Sequence, residues 1–246
     1  IMRALVFFGT RPEAIKMVPV IKSLKASGCD VTVGLSGQHR DMVHPILEFF
    51  QIQADFNLQI HDVCSEIHHP LQSILRRLTP YLKLSNPDVV LVHGDTSSSL
   101  GGAMAAFYQQ IPVAHVEAGL RSEDMYSPFP EEMNRRQIAH LARWHFAPTL
   151  KALDNLRREG IQQSSIFVTG NTVIDALLQA KERIFSDKAL NSQIAKKFED
   201  IPPHRNWILF TAHRRENLGQ RLHELALEIC EIAKLPNVHV VAPLHP

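Results

Sequence analysis

The sequence predicts an α/β fold built on parallel sheets. Strand-like and helix-like stretches alternate along the 246 residues, an order typical of parallel sheets covered by helices on both faces. The stretch 88–93, DVVLVH, is a continuous apolar run, which indicates a strand buried on both faces. Leucines and isoleucines within 74–82 and 222–232 recur at helical spacing. We therefore expect doubly wound sheets with helices between successive strands.

The predicted strands fall into two groups. The first covers 3–8, 31–35, 88–93, 113–116, a short stretch at Phe146 and 166–168, and the second covers 207–211 and 238–242. The intervening stretch 185–206 is charged and polar and ends in Ile201-Pro202-Pro203, so we interpret it as a helix and a connector. We expect an N-terminal domain over 1–170 and the start of a second domain over 171–246. Two strands make a poor independent domain, so we expect this second domain to be truncated.

The composition argues against several classes of protein. The net charge is +1, so no overall field favours nucleic acid or an anionic membrane as a partner. No apolar run is long enough to span a bilayer, and the strand-like start leads us to expect no signal peptide. Cys29, Cys64 and Cys230 are widely spaced and form no Cys-x-x-Cys pair, which disfavours a disulfide framework. We expect a cytoplasmic protein.

The first candidate site follows the first predicted strand, because ligands of doubly wound sheets lie beyond the carboxyl ends of the strands. Thr10 and Glu13 have the spacing of a capping box, which predicts the start of a helix. Arg11 and Lys16 then lie in the first turns of that helix, where free backbone N–H groups favour an anion. The alternative is a surface cluster in which Glu13 pairs with Lys16 at i,i+3.

Two carboxylates follow the next two strands of the predicted sheet. Asp95 comes after 88–93 and Glu117 after 113–116, and if these strands are neighbours their ends lie about 5 Å apart. Two converging carboxylates repel each other, so one should hold its proton more tightly and the pair would provide an acid and a base. The alternative for Asp95 is that it only caps the following helix.

Further charged candidates lie later in the chain. Glu131 and Arg135 are i,i+4 neighbours on a helix that cannot begin earlier, because prolines precede it; alone, such a pair is most often a solvated salt bridge. His213 follows the strand at 207–211 beside Arg214 and another arginine, which indicates a phosphate site with histidine as proton donor. His245 occupies a similar place after the last strand.

One stretch is metal-like in composition alone. Its potential ligands are His61, Asp62, Cys64, His68 and His69. Their spacing fits no standard zinc pattern, and the stretch has the character of a loop that enters a helix at Pro70. We therefore expect no metal ion there.

Seven segments closely resemble, in family order, the non-hydrolysing UDP-N-acetylglucosamine 2-epimerases. They are FGTRPEAIKMVPVI (8–21), SGQHRDM (36–42), HGDTSSSLGGAMAAF (93–107), HVEAGLRS (115–122), FPEEMNRR (129–136), VTGNTVIDAL (168–177) and TAHRREN (211–217). The resemblance implies a GT-B-like fold of two Rossmann-like domains with the active site between them, and the later uridine-binding segment is missing here. It also implies a homodimer in the bacterial cytoplasm.

The resemblance further implies that UDP-N-acetylglucosamine and UDP-N-acetylmannosamine are interconverted without a cofactor. The C2 proton is weakly acidic, because C2 is not next to a carbonyl carbon. Inversion is then easiest by elimination of UDP to a glycal, followed by re-addition. This reaction needs acid–base groups on both faces of C2 and cations around the departing phosphate.

The family's functional residues are carried over where its motifs match. The catalytic candidates are Asp95, Glu117, Glu131 and His213, the substrate-binding candidates are Arg11, Lys16, Arg135, Arg214 and His245, and Gln38 and His39 resemble positions near a second, regulatory substrate site. Two alternatives stay open. A GT-B glycosyltransferase would share the architecture but move the sugar to an acceptor, and a non-catalytic fragment would only bind sugar or a partner subunit.

Overall fold

A computed structural model describes residues 1–38, 40–60, 68–211 and 219–243. Strands and helices alternate through most of these ranges, as the sequence predicts. In chain order they are β1 (Arg3–Phe8), α1 (Arg11–Ala26), β2 (Asp30–Leu35), α2 (Arg40–Phe49), β3 (Phe56–Asn57), α3 (His69–Ser85), β4 (Val89–His93), α4 (Ser97–Tyr108), β5 (Val113–Val116), α5 (Glu131–Leu141), β6 (Trp144–Ala147), α6 (Leu150–Arg158), β7 (Ile166–Val168), α7 (Thr172–Ser186), α8 (Lys188–Lys196), β8 (Asn206–Leu209), α9 (Gln220–Ala233) and β9 (Val238–Val241).

The chain divides into two compact units, Ile1–Lys181 and Glu182–Pro246. The first unit contains a seven-stranded sheet in the order β3-β2-β1-β4-β5-β6-β7, in which every pairing is parallel. In the second unit, β8 and β9 pair in parallel. The predicted α/β class with parallel sheets is confirmed. Helix α7 begins in the first unit and ends in the second.

The predicted strands agree closely with the observed ones. The predicted bounds of β1, β5 and β7 are confirmed, and β2 and β4 differ by one residue at one end. β8 ends at Leu209, two residues before the predicted end. The two-residue strand β3 was not predicted, because so short a strand carries no alternating pattern.

Apolar layers cover both faces of the large sheet. Leu5 and Phe7 of β1 belong to one buried cluster, which also contains residues of α3 and α4. Val6 and Phe8 point to the other face and pack with α1 and α2. All five residues of β4 are buried, as predicted from its continuous apolar run. Within the described ranges, none of the helices is both long and apolar enough to cross a lipid bilayer.

Helix α4 lies close to the sheet because its inward face carries small residues. A Cβ atom added to Gly102 would lie 2.8 Å from Cδ1 of the buried Phe7 ring and 3.1 Å from Cγ1 of Val92. Real side chains do not tolerate the shorter distance without displacing their neighbour. Helix α4 therefore packs closely on the sheet, and its N-terminus follows β4 at the carboxyl edge of the sheet.

We predict that Gly102→Val lowers the free energy of unfolding by about 1–3 kcal/mol, because the added carbons force the Phe7 ring or the helix to shift. Tyr108→Val places the same residue at an exposed position of the same helix and should change the free energy by no more than about 0.5 kcal/mol. Chemical denaturation of both variants measures the difference. Equal stabilities would show that α4 is not packed as described.

Candidate active site

The site begins at the carboxyl ends of the central strands. Strand β2 lies next to β1 toward one edge of the sheet, and β5 lies next to β4 toward the opposite edge. The direction in which strands are added therefore reverses between β1 and β4. Doubly wound sheets open a crevice at such a switch point, beyond the carboxyl ends of the strands. The loops that follow β1, β4, β5 and β7 contribute the side chains described below.

One buried carboxylate, that of Glu13, holds the loop after β1. Its Oε2 accepts hydrogen bonds from the backbone N–H groups of Gly9 (3.0 Å) and Thr10 (2.7 Å). Its Oε1 accepts hydrogen bonds from the hydroxyls of Thr96 (2.6 Å) and Ser99 (2.7 Å) at the start of α4. The predicted capping box is therefore confirmed, and the same carboxylate ties the start of α1 to the start of α4.

Lys16 reaches from α1 to Glu117, the residue that follows β5. Its Nζ lies 2.7 Å from both carboxylate oxygens, and the two side chains are only 21% and 11% exposed. The alternative prediction, a surface pair of Lys16 with Glu13, is wrong because Glu13 is occupied by the loop. Contact between Lys16 and a substrate phosphate stays a prediction.

Two further groups surround the carboxylate of Glu117. Nε2 of His93, the last residue of β4, lies 3.7 Å from Oε2, and Nδ2 of Asn171, which follows β7, donates a hydrogen bond to the same oxygen at 2.9 Å. The backbone of Glu117 has a φ of +61°, a conformation that is rare outside glycine and is often found at functional sites. Three segments distant in sequence therefore converge on this one side chain.

The surroundings of Glu117 favour its ionised form. Burial raises its pKa, but the adjacent His93 ring and Lys16 ammonium outweigh burial, and the pKa of Glu117 falls to about 2. Glu117 is therefore a carboxylate anion at neutral pH, partly buried and held from several sides.

Asp95 has a different set of partners. Nη2 of Arg135 donates a hydrogen bond to its Oδ2, and Nδ2 of Asn134 donates to its backbone carbonyl at 2.8 Å. The helix that follows is capped by Thr96, whose hydroxyl accepts a hydrogen bond from the N–H of Ser99 at 3.1 Å. The alternative prediction that Asp95 serves as this cap is therefore wrong.

The pKa of Asp95 shifts in the opposite direction to that of Glu117. Burial raises it, the Arg135 guanidinium lowers it, and the charges of Glu131 and Glu13 raise it further, so that the net shift is upward. One carboxylate of the predicted pair thus holds its proton more tightly than the other. The cause differs from the predicted one, because burial and dedicated partners separate the two groups more than mutual repulsion does.

Helix α5 begins at Glu131 as predicted and adds a second buried carboxylate, Glu132. This carboxylate accepts hydrogen bonds from Nε of Arg136 at 2.9 Å and the backbone N–H of Ser122 at 3.0 Å. It also lies 3.3 Å from Nη1 of Arg135. The ion pair of Arg135 along the helix is therefore with Glu132 at i,i+3, not with Glu131 at the predicted i,i+4 spacing.

Some buried polar atoms beside Asp95 lack partners. Oε2 of Glu131 and Nε of Arg135 are buried and make no hydrogen bond within the described part of the chain. Buried groups of this kind are costly unless something binds them. The described part of the chain therefore leaves these two polar atoms unsatisfied. Arg11 is partly exposed, and no ion pair involves it among the described residues.

Gln38 belongs to a small polar cluster at the same sheet edge. The Ser98 hydroxyl donates a hydrogen bond to Oε1 of Gln38 at 3.0 Å and lies 2.8 Å from Oγ of Ser36. A Cβ atom on Gly9 would lie 1.9 Å from Oγ of Ser36, so this cluster requires glycine after β1. A regulatory role for Gln38 stays a prediction.

The loop after Glu117 is fixed by a two-pronged ion pair. Nε and Nη2 of Arg121 donate to the two carboxylate oxygens of Glu159 at 2.7 and 2.6 Å. The Arg121 guanidinium keeps the pKa of Glu159 below its usual range, although burial opposes this. The arginine of the VEAGLRS motif thus supports the loop and is engaged away from Glu117.

Several predicted residues lie outside the described ranges. These are His39, His213, Arg214 and His245, together with the part of the metal-like stretch at 61–67. Within the described ranges, no group of three or more His, Cys, Asp or Glu residues is arranged to hold a metal ion. The predicted roles of these residues stay predictions.

Three residues of the site were absent from the predicted set: His93, Asn171 and Glu132. His93 ends β4 and Asn171 follows β7 closely, so the strand-end rule that selected Asp95 and Glu117 would also have selected them. Glu132 carries no such signal. Only the structure shows that it, and not Glu131, is the fully buried carboxylate at the start of α5.

Comparison with known proteins identifies the relatives of this chain. The sequence profile of the family described as UDP-N-acetylglucosamine 2-epimerase matches residues 22–246. The chain belongs to this family. It is similar to the UDP-N-acetylglucosamine 2-epimerase of Escherichia coli O157:H7, with 45% identity over 99% of the chain, and it spans 65% of the length of that relative.

Solved structures of family members share the fold. The UDP-GlcNAc 2-epimerase of Neisseria meningitidis bound to UDP-GlcNAc is 44% identical, with a TM-score of 0.92 over 99% of this chain and 66% of that one. S. aureus MnaA, in its structure with UDP, is 40% identical, with a TM-score of 0.85 over 100% of this chain and 63% of that one. The predicted GT-B-like class is confirmed by these family members.

The opposite pKa shifts of Glu117 and Asp95 predict opposite effects of pH on stability. The pKa of Glu117 lies below its ordinary value of 4.5, so its stabilising contribution is full above about pH 4.5 and is lost as the pH falls through about 2. The contribution is on the order of 3 kcal/mol, since each pKa unit corresponds to about 1.4 kcal/mol. The stability advantage of the wild type over Glu117→Gln should therefore shrink between pH 5 and 2.

Asp95→Asn is the matched variant, for which the change in stability with pH is expected to have the opposite sign. Its pKa is raised above 3.8, so the folded state takes up a proton before the unfolded state does, and its contribution to stability grows as the pH falls toward 3.8. The wild type should therefore gain stability relative to Asp95→Asn as the medium is acidified. Chemical denaturation at several pH values measures both differences. Parallel pH profiles for the two variants would contradict the assignment.

Proposed function

We propose that this protein is a non-hydrolysing UDP-N-acetylglucosamine 2-epimerase, which interconverts UDP-N-acetylglucosamine and UDP-N-acetylmannosamine. The observation that carries the proposal is the pair of carboxylates at adjacent strand ends, Asp95 with a raised pKa and Glu117 with a lowered one. Membership of the family supports the reaction. The substrate is supported by 44% identity to an enzyme whose structure holds UDP-GlcNAc.

The reaction follows from the chemistry of the sugar. A base removes the C2 proton, the electron pair of that C–H bond forms the C1–C2 double bond, and UDP leaves C1 with the electrons of the C1–O bond. UDP then adds back to C1 of the glycal while a proton is delivered to the opposite face of C2. The sugar undergoes no net oxidation or reduction, so the reaction needs no redox cofactor.

The two carboxylates suit different tasks in this scheme. Asp95 has the higher proton affinity and is the better group to carry a proton to and from C2. Glu117 stays ionised, so it is suited to accept a proton only transiently or to stabilise positive charge that develops at C1. Glu131, with a buried and unpartnered Oε2, is the third acid–base candidate, and His213 is the fourth.

The departing diphosphate requires cations, and four arginine or lysine side chains are proposed for it. Arg11 is the candidate that carries no ion pair among the described residues, so its guanidinium is available to an incoming phosphate. Lys16 and Arg135 would share their charges between the carboxylates they already contact and the phosphate. Arg214 and His245 complete the proposed set.

The remaining properties follow from the family resemblance. We infer a homodimer in the bacterial cytoplasm that uses the UDP-sugar as its partner and binds neither nucleic acid nor membrane. Gln38 and His39 are proposed to lie near a second, regulatory site for the substrate. These inferences concern the activity and partners of a whole enzyme. The chain spans 65% of the length of the related enzyme of Escherichia coli O157:H7.

We expect the full-length natural protein, incubated with UDP-N-acetylglucosamine alone in D₂O, to place deuterium at C2 and to form UDP-N-acetylmannosamine without an acceptor. Proton NMR and mass spectrometry follow both products. Release of free N-acetylmannosamine and UDP would indicate a hydrolysing enzyme. Turnover that needs a sugar acceptor would indicate a glycosyltransferase, and either result would overturn the proposal.

Asp95→Asn and Glu117→Gln should each lower the rate of C2 deuteration by at least about 10²-fold, because each removes one acid–base or electrostatic group. Asp154→Asn is the matched control, since Asp154 is an exposed acid on α6 paired only at 4.0 Å with Arg157. Circular dichroism checks that the variants fold. Rates near the wild type for both Asp95 and Glu117 variants would refute their assignment.

A further inference from the structure

Asn171 contacts two parts of the first unit through the two ends of its side-chain amide. Nδ2 donates a hydrogen bond to Oε2 of Glu117 at 2.9 Å. Oδ1 accepts a hydrogen bond from the backbone N–H of Val173 at 3.0 Å. Since α7 begins at Thr172, the second bond is a helix cap. One planar group therefore links the first turn of α7 to the carboxylate that follows β5.

The contact with Glu117 has a geometric role that Lys16 cannot fill. The ammonium of Lys16 lies 2.7 Å from both oxygens of Glu117, and an ammonium is a compact charge whose three donors rotate freely. It lies at the same distance from both oxygens and so does not distinguish one carboxylate oxygen from the other. The amide of Asn171 contacts one oxygen only, and its own plane is fixed by the cap at Val173. It therefore selects one rotation of the carboxylate.

Two titratable side chains also lie close to the carboxylate of Glu117. Among the described residues, the titratable groups that face its carboxylate are Lys16 of α1 and His93 of β4. Lys16 reaches the carboxylate from α1 and His93 from the end of β4, whereas Asn171 approaches from the start of α7.

We propose that Asn171 is a positioning residue, which orients the carboxylate of Glu117 for reaction and couples this orientation to the first turn of α7. The inference rests on the proposed epimerase function. Helix α7 is the segment that runs from the first compact unit into the second. A shift of the start of α7 would therefore act on the carboxylate through a single side chain.

Two substitutions separate orientation from helix capping. Asn171→Ser keeps a side-chain oxygen that can cap α7 but is too short to replace the amide donor at Glu117. Asn171→Asp keeps the shape and the capping oxygen but turns the donor into an anion that repels Glu117. The matched control is Asp187→Ala, which removes the cap of α8, where Asp187 accepts from the N–H groups of Ala189 and Leu190 at 3.0 Å.

In the full-length protein we expect kcat to fall about 10-fold in Asn171→Ser and further in Asn171→Asp, with KM for UDP-N-acetylglucosamine within about 3-fold of the wild type. The titration midpoint of Glu117, followed by carbon-13 NMR of its carboxyl group, should move to higher pH in both, because Glu117 loses a donor that favours its anion. Asp187→Ala should leave kcat and the Glu117 midpoint unchanged.

Wild-type kcat and an unmoved Glu117 midpoint in Asn171→Ser would overturn the inference, because Asn171 would then only cap the helix. If that variant does not fold, the near-isosteric Asn171→Asp decides by the same two readouts. Deuterium exchange by the wild type distinguishes a failure of this inference from a failure of the proposed function. A wild type that exchanges no deuterium at C2 overturns the function itself, whereas an active wild type with unaffected Asn171 variants overturns only the role of Asn171.

Discussion

The ion pair between Lys16 and Glu117 is the interaction on which the rest of the site depends. A partly buried carboxylate is costly unless a cation and hydrogen-bond donors accompany it, and here the cation comes from α1. The position of α1 is set in turn by Glu13, which binds the loop after β1 and the start of α4. The charge on Glu117 is thus stabilised by a framework that runs through both neighbouring helices.

The same sheet edge holds a second carboxylate in a contrasting environment. Asp95 is more strongly influenced by burial and by the acids around it, and its main cation, Arg135, is shared with the buried Glu132. Two acidic residues that follow adjacent strands therefore differ in their affinity for a proton. The proposed division of labour between a proton carrier and a permanent anion is based on these surroundings, since both side chains carry the same carboxyl group.

Local features of the structure could be predicted from the sequence because their causes are local. A continuous apolar run located β4, and the spacing of Thr10 and Glu13 located the start of α1. The parallel order of strands then brought Asp95 and Glu117 to one edge. Partner choice could not be predicted in this way, since Lys16 and Glu117 are 101 residues apart. Which of two adjacent glutamates is buried at the start of α5 depends on packing against Ser122 and Arg136, which periodicity does not encode.

The central claim is that the fold holds Glu117 as an anion while it raises the proton affinity of Asp95. Carbon-13 NMR of the side-chain carboxyl groups, assigned with Glu117→Gln and Asp95→Asn, measures both titrations directly. The account predicts a midpoint near pH 2 for Glu117 and one above 3.8 for Asp95. A Glu117 that titrates at or above 4.5, or an Asp95 that titrates below Glu117, would contradict it.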